Sequence, residues 1–191
     1  MRTLIATSFV SLDGVVQAPG GEPGYRNSGW TMNSVEFDPA AYELKGAEQE
    51  EASAMLLGRH SYEAFCAVWP SMTEQFPQYN AMPKYVLSTT LREKDLAGNW
   101  GETAILRSVA DVARLRAGDG GPISIHGSAT MVHSLQEHQL IDQYNLLVFP
   151  VLLGAGKRLF SDASLDAQKL ALIDSQVYSN GIQKNVFKVQ R

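Results

Sequence analysis

Residues 55–65, which read MLLGRHSYEAF, constrain the fold of this chain more than any other stretch. A short apolar run stops at Gly58, and Arg59, His60 and Ser61 then open a segment of helical character. A strand that turns into a helix at a glycine leaves free backbone N–H groups and the positive end of the helix dipole at the turn. Arg59 and His60 add cations there, and Ser61 adds a helix cap or a further donor. The stretch predicts a phosphate site, with an ordinary surface turn as the alternative.

A second turn of the same kind lies at residues 122–135, which read PISIHGSATMVHSL. Residues 123–125 alternate as a strand should, and the small residues at 127–130 would let the backbone approach a ligand closely. Apolar residues then recur at helical spacing from Met131 onward. The dinucleotide-binding fingerprint is incomplete, because no second or third glycine follows Gly127 at the required spacing. Two strand–glycine–helix turns in one chain, one of them basic, together predict a ligand that carries more than one phosphate.

The composition fits one globular domain over residues 1–191, since 45% of the residues are hydrophobic and 19% are charged. A net charge of −4 argues against a general nucleic-acid-binding protein. Cys66 is the only cysteine, which excludes an intrachain disulfide, and no His and carboxylate pair has metal-binding spacing, so we predict no metal. Residues 11–14 interrupt the first apolar run, and no apolar stretch reaches membrane-spanning length. We therefore expect a cytoplasmic protein that does not bind membranes.

Strands and helices alternate along most of the chain, which predicts a mostly parallel sheet with helices on both faces. Strands are predicted at residues 2–10, 54–57, 84–88, 103–106, 123–125 and 141–150, and helices at 39–51, 61–68, 108–116 and after Gly127. Two final strands, 169–178 and 183–190, flank Asn180-Gly181, a hairpin signal that predicts an antiparallel edge. The Gly- and Pro-rich residues 18–29 predict a loop long enough to act as a lid, and residues 70–83 are expected to be irregular.

Taken together, these motifs resemble the dihydrofolate-reductase-like fold, and specifically the reductase domain at the C-terminus of the bifunctional riboflavin-biosynthesis protein RibD. The segments that carry the resemblance are residues 11–14, 57–63, 86–90, 127–135, 140–144 and 150–160. Each segment is short, and their order and spacing together are specific. The resemblance implies an α/β three-layer sandwich with a mostly parallel central sheet, helices on both faces and an antiparallel C-terminal hairpin.

The same resemblance implies an NADPH-dependent reductase and places its cofactor. The turn from Gly58 to Ser61 would bind the adenosine 2′-phosphate and the pyrophosphate. The segment after the third strand would hold the adenosine half, and the second glycine turn would contact the pyrophosphate and the nicotinamide ribose. The first strand, with Val10 near its end, would border the nicotinamide. The cofactor-binding residues implied in the later turns are Leu87, Ser88, Thr89, His126, Gly127, Ser128, Ala129, Thr130 and Met131.

Three residues are candidates for the chemistry. Asp13, at the end of the first strand, is the first candidate for a proton donor, and its alternative is to shape the Asp-Gly turn. Trp30 follows the predicted lid and could stack on a planar substrate or anchor the loop in the core. His126 could contact cofactor or substrate, or be a hydrogen-bonded histidine at a strand end. Riboflavin-pathway members usually carry an acidic residue near the position of His126, so the pyrimidine ribitol-phosphate substrate is in question.

The sequence leaves two hypotheses for the function and two for the oligomeric state. The leading hypothesis is an NADPH-dependent oxidoreductase that acts on a small heterocycle or carbonyl compound. The alternative is a module of the same fold that binds a nucleotide or flavin-like ligand without turnover. Residues 169–178 and the apolar residues 146–149 are expected near a sheet edge, so we expect a homodimer that covers it. The alternative is a monomer whose edge is protected by Lys184 and Lys188.

Overall fold

Eight strands form one sheet in a computed structural model, which describes residues 1–160 and 166–191. The strands are β1 (Leu4–Ser11), β2 (Ala54–Gly58), β3 (Lys84–Leu87), β4 (Thr103–Leu106), β5 (Ile123–Ile125), β6 (Gln143–Phe149), β7 (Leu170–Val177) and β8 (Gln183–Val189). Their order across the sheet is β4-β3-β2-β5-β1-β6-β8-β7. The predicted α/β fold around one central sheet is therefore confirmed.

Strands β1 to β6 pair with one another in parallel, and β8 is antiparallel to both of its neighbours, β6 and β7. This confirms the mostly parallel sheet with an antiparallel C-terminal hairpin. Parallel strands point their carboxyl ends to the same side of the sheet, so the turns after β1, β2, β3 and β5 are neighbours. Strand β6, which contains residues 146–149, pairs on both sides and is the third strand from the edge, and β7 is the edge strand on this side.

The helices follow the strands much as the sequence predicts. They are α1 (Trp30–Asn33), α2 (Glu43–Glu51), α3 (Arg59–Cys66), α4 (Pro77–Ala81), α5 (Val109–Ala117) and α6 (Ala129–Glu137). A 3-10 turn precedes α2, and Asp38 caps it by accepting a hydrogen bond from the Ala40 N–H at 3.0 Å. Helix α3 begins at Arg59, two residues earlier than predicted. Helix α4 lies in the stretch that was expected to be irregular. The sequence did not predict this helix, because five residues are too few to show helical periodicity.

The apolar side chains form three clusters around the sheet. One lies beneath α5 and α6 and includes Leu56, Ile125 and Leu135. A second surrounds Phe149, and a third surrounds Trp100. Burial of these side chains is the main source of stability. No helix in residues 1–160 and 166–191 is long and apolar enough to cross a membrane.

An ion-pair network connects Asp142, the residue immediately before β6, to three other parts of the chain. Asp142 accepts hydrogen bonds from Arg116 at 2.6 and 3.0 Å, from the Leu4 N–H at 2.9 Å and from Arg191 at 2.7 Å. Burial alone would raise the pKa of Asp142, but these donors together lower it below its ordinary value. The folded state therefore holds the carboxylate in its charged form.

We expect the Asp142→Asn substitution to lower the free energy of unfolding at pH 7 by about 2 kcal/mol, because it leaves the part-buried Arg116 without a carboxylate partner. The folded-state pKa is lowered, so this contribution is present above the unfolded-state pKa of about 3.9 and is lost as the pH falls through the folded-state value. Urea unfolding at pH 7 and at progressively lower pH measures the difference. The control is Asp95→Asn, which removes an exposed pair with Arg92. Equal costs for both variants would contradict the expectation.

Candidate functional site

The two glycine turns meet at the centre of the sheet, because β2 pairs with β5. The Gly58 N–H donates to the Gly127 carbonyl at 2.9 Å. Gly58 is the N-cap of α3, Ser128 is the N-cap of α6, and neither helix has a side-chain cap hydrogen bond. The first-turn N–H groups of both helices therefore have no side-chain acceptor and can bind an anion. Ser61 is the third residue of α3, so the alternative that it caps this helix is wrong.

Close packing explains why both turns contain glycine. A Cβ added to Gly58 would lie 2.6 Å from Ser128 Oγ and 3.1 Å from the Ser128 nitrogen. A Cβ added to Gly127 would lie 2.8 Å from Ser61 Oγ, and Gly127 has a φ of +77°, which favours glycine. A side chain at either position would force the facing serine to move, and at Gly127 it would also be strained by the positive φ.

Arg59 extends this region toward β3. Its Nε contacts Glu63 Oε1 at 2.6 Å, and its Nη1 donates to Thr90 Oγ1 at 2.9 Å. The Arg59 side chain is 43% exposed and that of His60 is 82% exposed, so both cations are accessible to a ligand. Since Thr90 follows β3, the predicted adenosine segment lies next to the basic turn.

The segment after β3 is itself held in a tight turn. Ser88 is buried, and its Oγ accepts from the Leu91 N–H at 3.0 Å and from the Thr90 N–H at 3.2 Å. Leu87 is partly buried and Thr89 is exposed. Of the three predicted adenosine contacts, Ser88 thus shapes the turn, while Leu87 and Thr89 present surface.

Asp13 is bound by several donors at the end of β1. Ser11 Oγ donates to it at 2.6 Å, and the N–H groups of Leu153 and Gly154 donate at 3.2 and 2.8 Å. The hydrogen bond from Ser11 is the largest of the influences that lower the pKa of Asp13, so the side chain is a carboxylate near neutral pH. These contacts favour the turn-shaping alternative over a proton donor.

Trp30 and Val10 are both packed into the core. Trp30 is 2% exposed, its Nε1 donates to the Gln17 carbonyl at 2.9 Å, and its ring meets Phe149 edge-on at 5.2 Å. This geometry favours the loop-anchoring alternative for Trp30. The Val10 side chain lies in the cluster beneath α5 and α6, so only its backbone can border a ligand.

His126 lies between the second glycine turn and a group of aromatic rings. Its Nε2 is 3.1 Å from Ser124 Oγ, and its ring meets Tyr79 edge-on at 5.0 Å. Burial lowers the pKa of His126 to about 4; the Glu48 carboxylate opposes this change and the Lys45 ammonium adds to it. The ring is therefore neutral at physiological pH and electrostatically coupled to α2.

A buried polar cluster beneath α2 was not predicted from the sequence. The two Glu48 oxygens accept from Thr7 Oγ1 at 2.8 Å, Asn145 Nδ2 at 2.7 Å and Lys45 Nζ at 3.1 Å. Lys45 also donates to Thr7 Oγ1 and lies 5.2 Å from the centre of the Phe9 ring. The available signal was a polar residue at an inward position in each of two apolar strands, β1 and β6. This cluster can hold one ammonium and one carboxylate away from water.

The sheet therefore presents two kinds of chemistry. The N–H groups of two helix N-termini and the Arg59 cation lie at the carboxyl ends of β2, β3 and β5. Neutral His126, the aromatic rings and the Lys45–Glu48 pair lie toward α2. Such an arrangement can bind a phosphate-containing ligand next to a largely uncharged organic one.

Comparisons with known proteins agree with this fold. The Bacillus subtilis (strain 168) protein YyaP, which is uncharacterized, is 24% identical over 97% of this chain and 94% of its own. A Shewanella sp. PV-4 protein described as a riboflavin biosynthesis protein has a TM-score of 0.76 and 21% identity, with 99% of each chain covered. Dihydrofolate reductase from Enterococcus faecalis, solved with NADP(H), has a TM-score of 0.64 and 14% identity, with 99% of this chain and 97% of that one covered.

The sequence match extends over nearly the whole chain. Residues 2–184 match the family model of the RibD C-terminal domain, and this range contains both glycine turns and the polar cluster beneath α2. The order of strands and the sequence match thus lead to the same assignment, and the chain belongs to the RibD C-terminal domain family.

Proposed function

We propose that the protein is an NADPH-dependent reductase that transfers a hydride to a small heterocyclic or carbonyl compound. The observation that carries this proposal is the direct contact of the two glycine turns, with the Gly58 N–H bonded to the Gly127 carbonyl at 2.9 Å. Two uncapped helix N-termini side by side suit the two phosphates of a dinucleotide. Membership of the RibD C-terminal domain family and a fold shared with reductases support the same function.

The residues of the site fit NADPH. The first turns of α3 and α6 offer backbone N–H groups for the pyrophosphate, through residues 59–61 and 129–131. Arg59 and His60 would bind the 2′-phosphate, and the surface formed by Leu87 and Thr89 would receive the adenosine. His126 and the end of β1 would then border the nicotinamide.

Bound NADPH would supply the hydride, and the chain has to position the acceptor and provide a proton. Glu48 accepts three hydrogen bonds and pairs with Lys45 at 3.1 Å. The Lys45 ammonium is thus the candidate for the proton donor, a role for which Asp13 is unsuited as a carboxylate. Residues 18–29 would close over the site and exclude water.

Calorimetric titration of the protein with NADPH and with NADH tests the proposal. We expect NADPH to bind with one site per chain and NADH to bind more weakly, because only NADPH carries a phosphate for Arg59. Failure of both cofactors to bind at millimolar concentration would reject the reductase. The non-catalytic nucleotide- or flavin-binding module would then be the better explanation of the fold.

We also propose that the protein is a homodimer that pairs through β7. The edge strand exposes a row of apolar side chains, namely Leu170, Leu172, Ile173 and Val177, of which Val177 is 72% exposed. An uncovered strand with this composition is a template for association, and a two-fold contact would cover both copies at once.

Light scattering at micromolar concentration is expected to give twice the chain's 20.9 kDa. The Leu172→Asp/Val177→Asp double variant should give a mass near that of one chain, because it places carboxylates in the contact. The control is Val68→Asp, which adds a charge at an exposed apolar residue on a different part of the surface. A monomeric native protein, or a double variant that remains dimeric, would reject this contact.

A further inference from the structure

A wall of aromatic rings lies beside His126 on the α2 side of the sheet. Trp69 stacks on Phe65 with ring centres 4.5 Å apart and on Phe76 at 4.8 Å, and it meets Tyr79 at 5.2 Å. Phe65, Trp69 and Phe76 are only partly buried. Because Phe65 lies on α3 and His126 precedes Gly127, this wall is adjacent to the proposed cofactor site. The parts of these three rings that stay exposed offer apolar aromatic surface, which favours the binding of a planar ring.

The polar groups within the wall are uncharged at neutral pH. His126 is neutral because burial lowers its pKa to about 4. Burial also raises the pKa of Tyr79, as does the Glu48 carboxylate, so the phenol keeps its proton. The Tyr79 hydroxyl is buried and has no hydrogen-bond partner in the described part of the chain. A buried hydroxyl without a partner is costly. The Tyr79 hydroxyl therefore indicates a ligand atom with which it can form a hydrogen bond.

The charged groups next to the wall, Lys45 and Glu48, form an ion pair with no net charge. Lys45 Nζ lies 3.1 Å from Glu48, whose side chain is 5% exposed. The carboxylate also accepts from Thr7 and Asn145, so both of its oxygens are occupied. An additional anion at this place would meet an ammonium that is already paired with Glu48, and it would have to lose its hydration.

The surface that leads away from the cluster is acidic. A groove of about 300 Å³ between α2 and strands β6, β8 and β7 includes Glu48 in its lining. It is also lined by Glu43, Glu51 and Asp174, and its lysine, Lys184, is paired with Asp174 at 2.8 Å. A phosphate or carboxylate tail in this groove would meet like charges.

We propose that the substrate side of the site selects an uncharged planar ring compound and discriminates against the same ring carrying a carboxylate or phosphate. The proposal rests on the reductase function proposed above, because it assigns the wall and the Lys45–Glu48 pair to the substrate. The anion-binding turns at Gly58 and Gly127 then serve the cofactor alone. The substrate thus differs in charge from a ribitol phosphate.

Matched probes test this charge selection. The hydroxymethyl and carboxylate derivatives of pyrimidine, quinoxaline and pterin share their rings and differ in charge at pH 7. Their dissociation constants are measured from quenching of tryptophan fluorescence or by calorimetry, with and without saturating NADP⁺. We expect at least one neutral ring to bind tenfold or more tightly than its carboxylate partner. Equal or tighter binding of the carboxylates, or no binding by any of the six probes, would overturn the proposal.

Substitutions locate the selection at the wall and the ion pair. The Trp69→Leu variant should lose at least tenfold in affinity for the neutral ring, while Phe37→Leu, which changes an exposed ring elsewhere, should lose none. Phe76→Leu tests the outer side of the stack if Trp69→Leu does not fold.

Glu48→Gln should reduce the preference for the neutral probe at least tenfold, because Lys45 then lacks its counter-ion. An unchanged preference in the folded Glu48→Gln protein would contradict the proposal.

The cofactor and the ring are measured separately. Ring selectivity with no NADPH binding would reject the reductase and leave the charge selection standing. NADPH binding without ring selectivity would reject the charge selection and leave the proposed reductase function standing.

Discussion

Substitution of valine for Gly127 is expected to abolish NADPH binding while the protein stays folded. A Cβ at this position would lie 2.8 Å from Ser61 Oγ, and the φ of +77° is strained for any residue with a side chain. Such strain costs roughly 1–3 kcal/mol, which a domain of ordinary stability tolerates. The clash would separate the first turns of α3 and α6, on which the proposed pyrophosphate site depends. Calorimetry measures the binding, and thermal unfolding confirms the fold.

The matched control for this change is Gly98→Val. Gly98 does not have a positive φ, and no atom lies within 4 Å of the Cβ it would gain, so NADPH affinity should stay within about twofold of the native value. If Gly127→Val bound NADPH as tightly as the control, the turn would not belong to the cofactor site. If it unfolded outright, the glycine would be required for packing.

Substitution of alanine for Arg59 should weaken NADPH binding by roughly 1–3 kcal/mol and NADH binding much less. The guanidinium is 43% exposed and adjoins the segment after β3, where the 2′-phosphate of a bound cofactor is expected. A planar guanidinium binds a phosphate through two parallel hydrogen bonds, and NADH offers no phosphate at this place. Titration of the variant with each cofactor gives the two losses.

Two further variants make this measurement specific. Arg114→Ala removes an exposed arginine of α5 that is paired with Asp111 and should leave both affinities unchanged. Glu63→Gln releases Arg59 from its contact at 2.6 Å and should strengthen NADPH binding. Equal losses for NADPH and NADH in Arg59→Ala would show that this side chain supports the turn or contacts the pyrophosphate instead.

The parts of the site that depend on neighbouring residues could be predicted from the sequence. Each glycine turn is a strand, a glycine and a helix within about fifteen residues, so the turns and the parallel sheet were predictable. The contact between Gly58 and Gly127 was not, because it depends on the pairing of β2 with β5. For Asp13 and Trp30 the sequence allowed two alternatives, and only hydrogen-bond partners distinguish them.

The substrate side was harder to predict for the same physical reason. Glu48 and Asn145 are 97 residues apart in the sequence, and their hydrogen bond exists only because α2 packs over β1 and β6. The aromatic wall includes residues from α4 and the turn before it, in a stretch whose sequence has no regular period. Long-range contacts of this kind leave little local signal beyond a polar residue inside an apolar strand.

The strand order places the proposed phosphate contacts and the Lys45–Glu48 pair on different strands of the sheet. Cofactor contacts are proposed at the ends of β2, β3 and β5, whereas the Lys45–Glu48 pair and its partners belong to α2, β1 and β6. Mutations beneath α2 can therefore change the polar cluster and leave the proposed phosphate contacts at the two glycine turns in place. A lineage with this architecture can change its substrate by exchanging a few side chains beneath one helix while it keeps the same reductant. For engineering, α2 and β6 are accordingly the place to diversify, and the glycine turns are the place to leave unchanged.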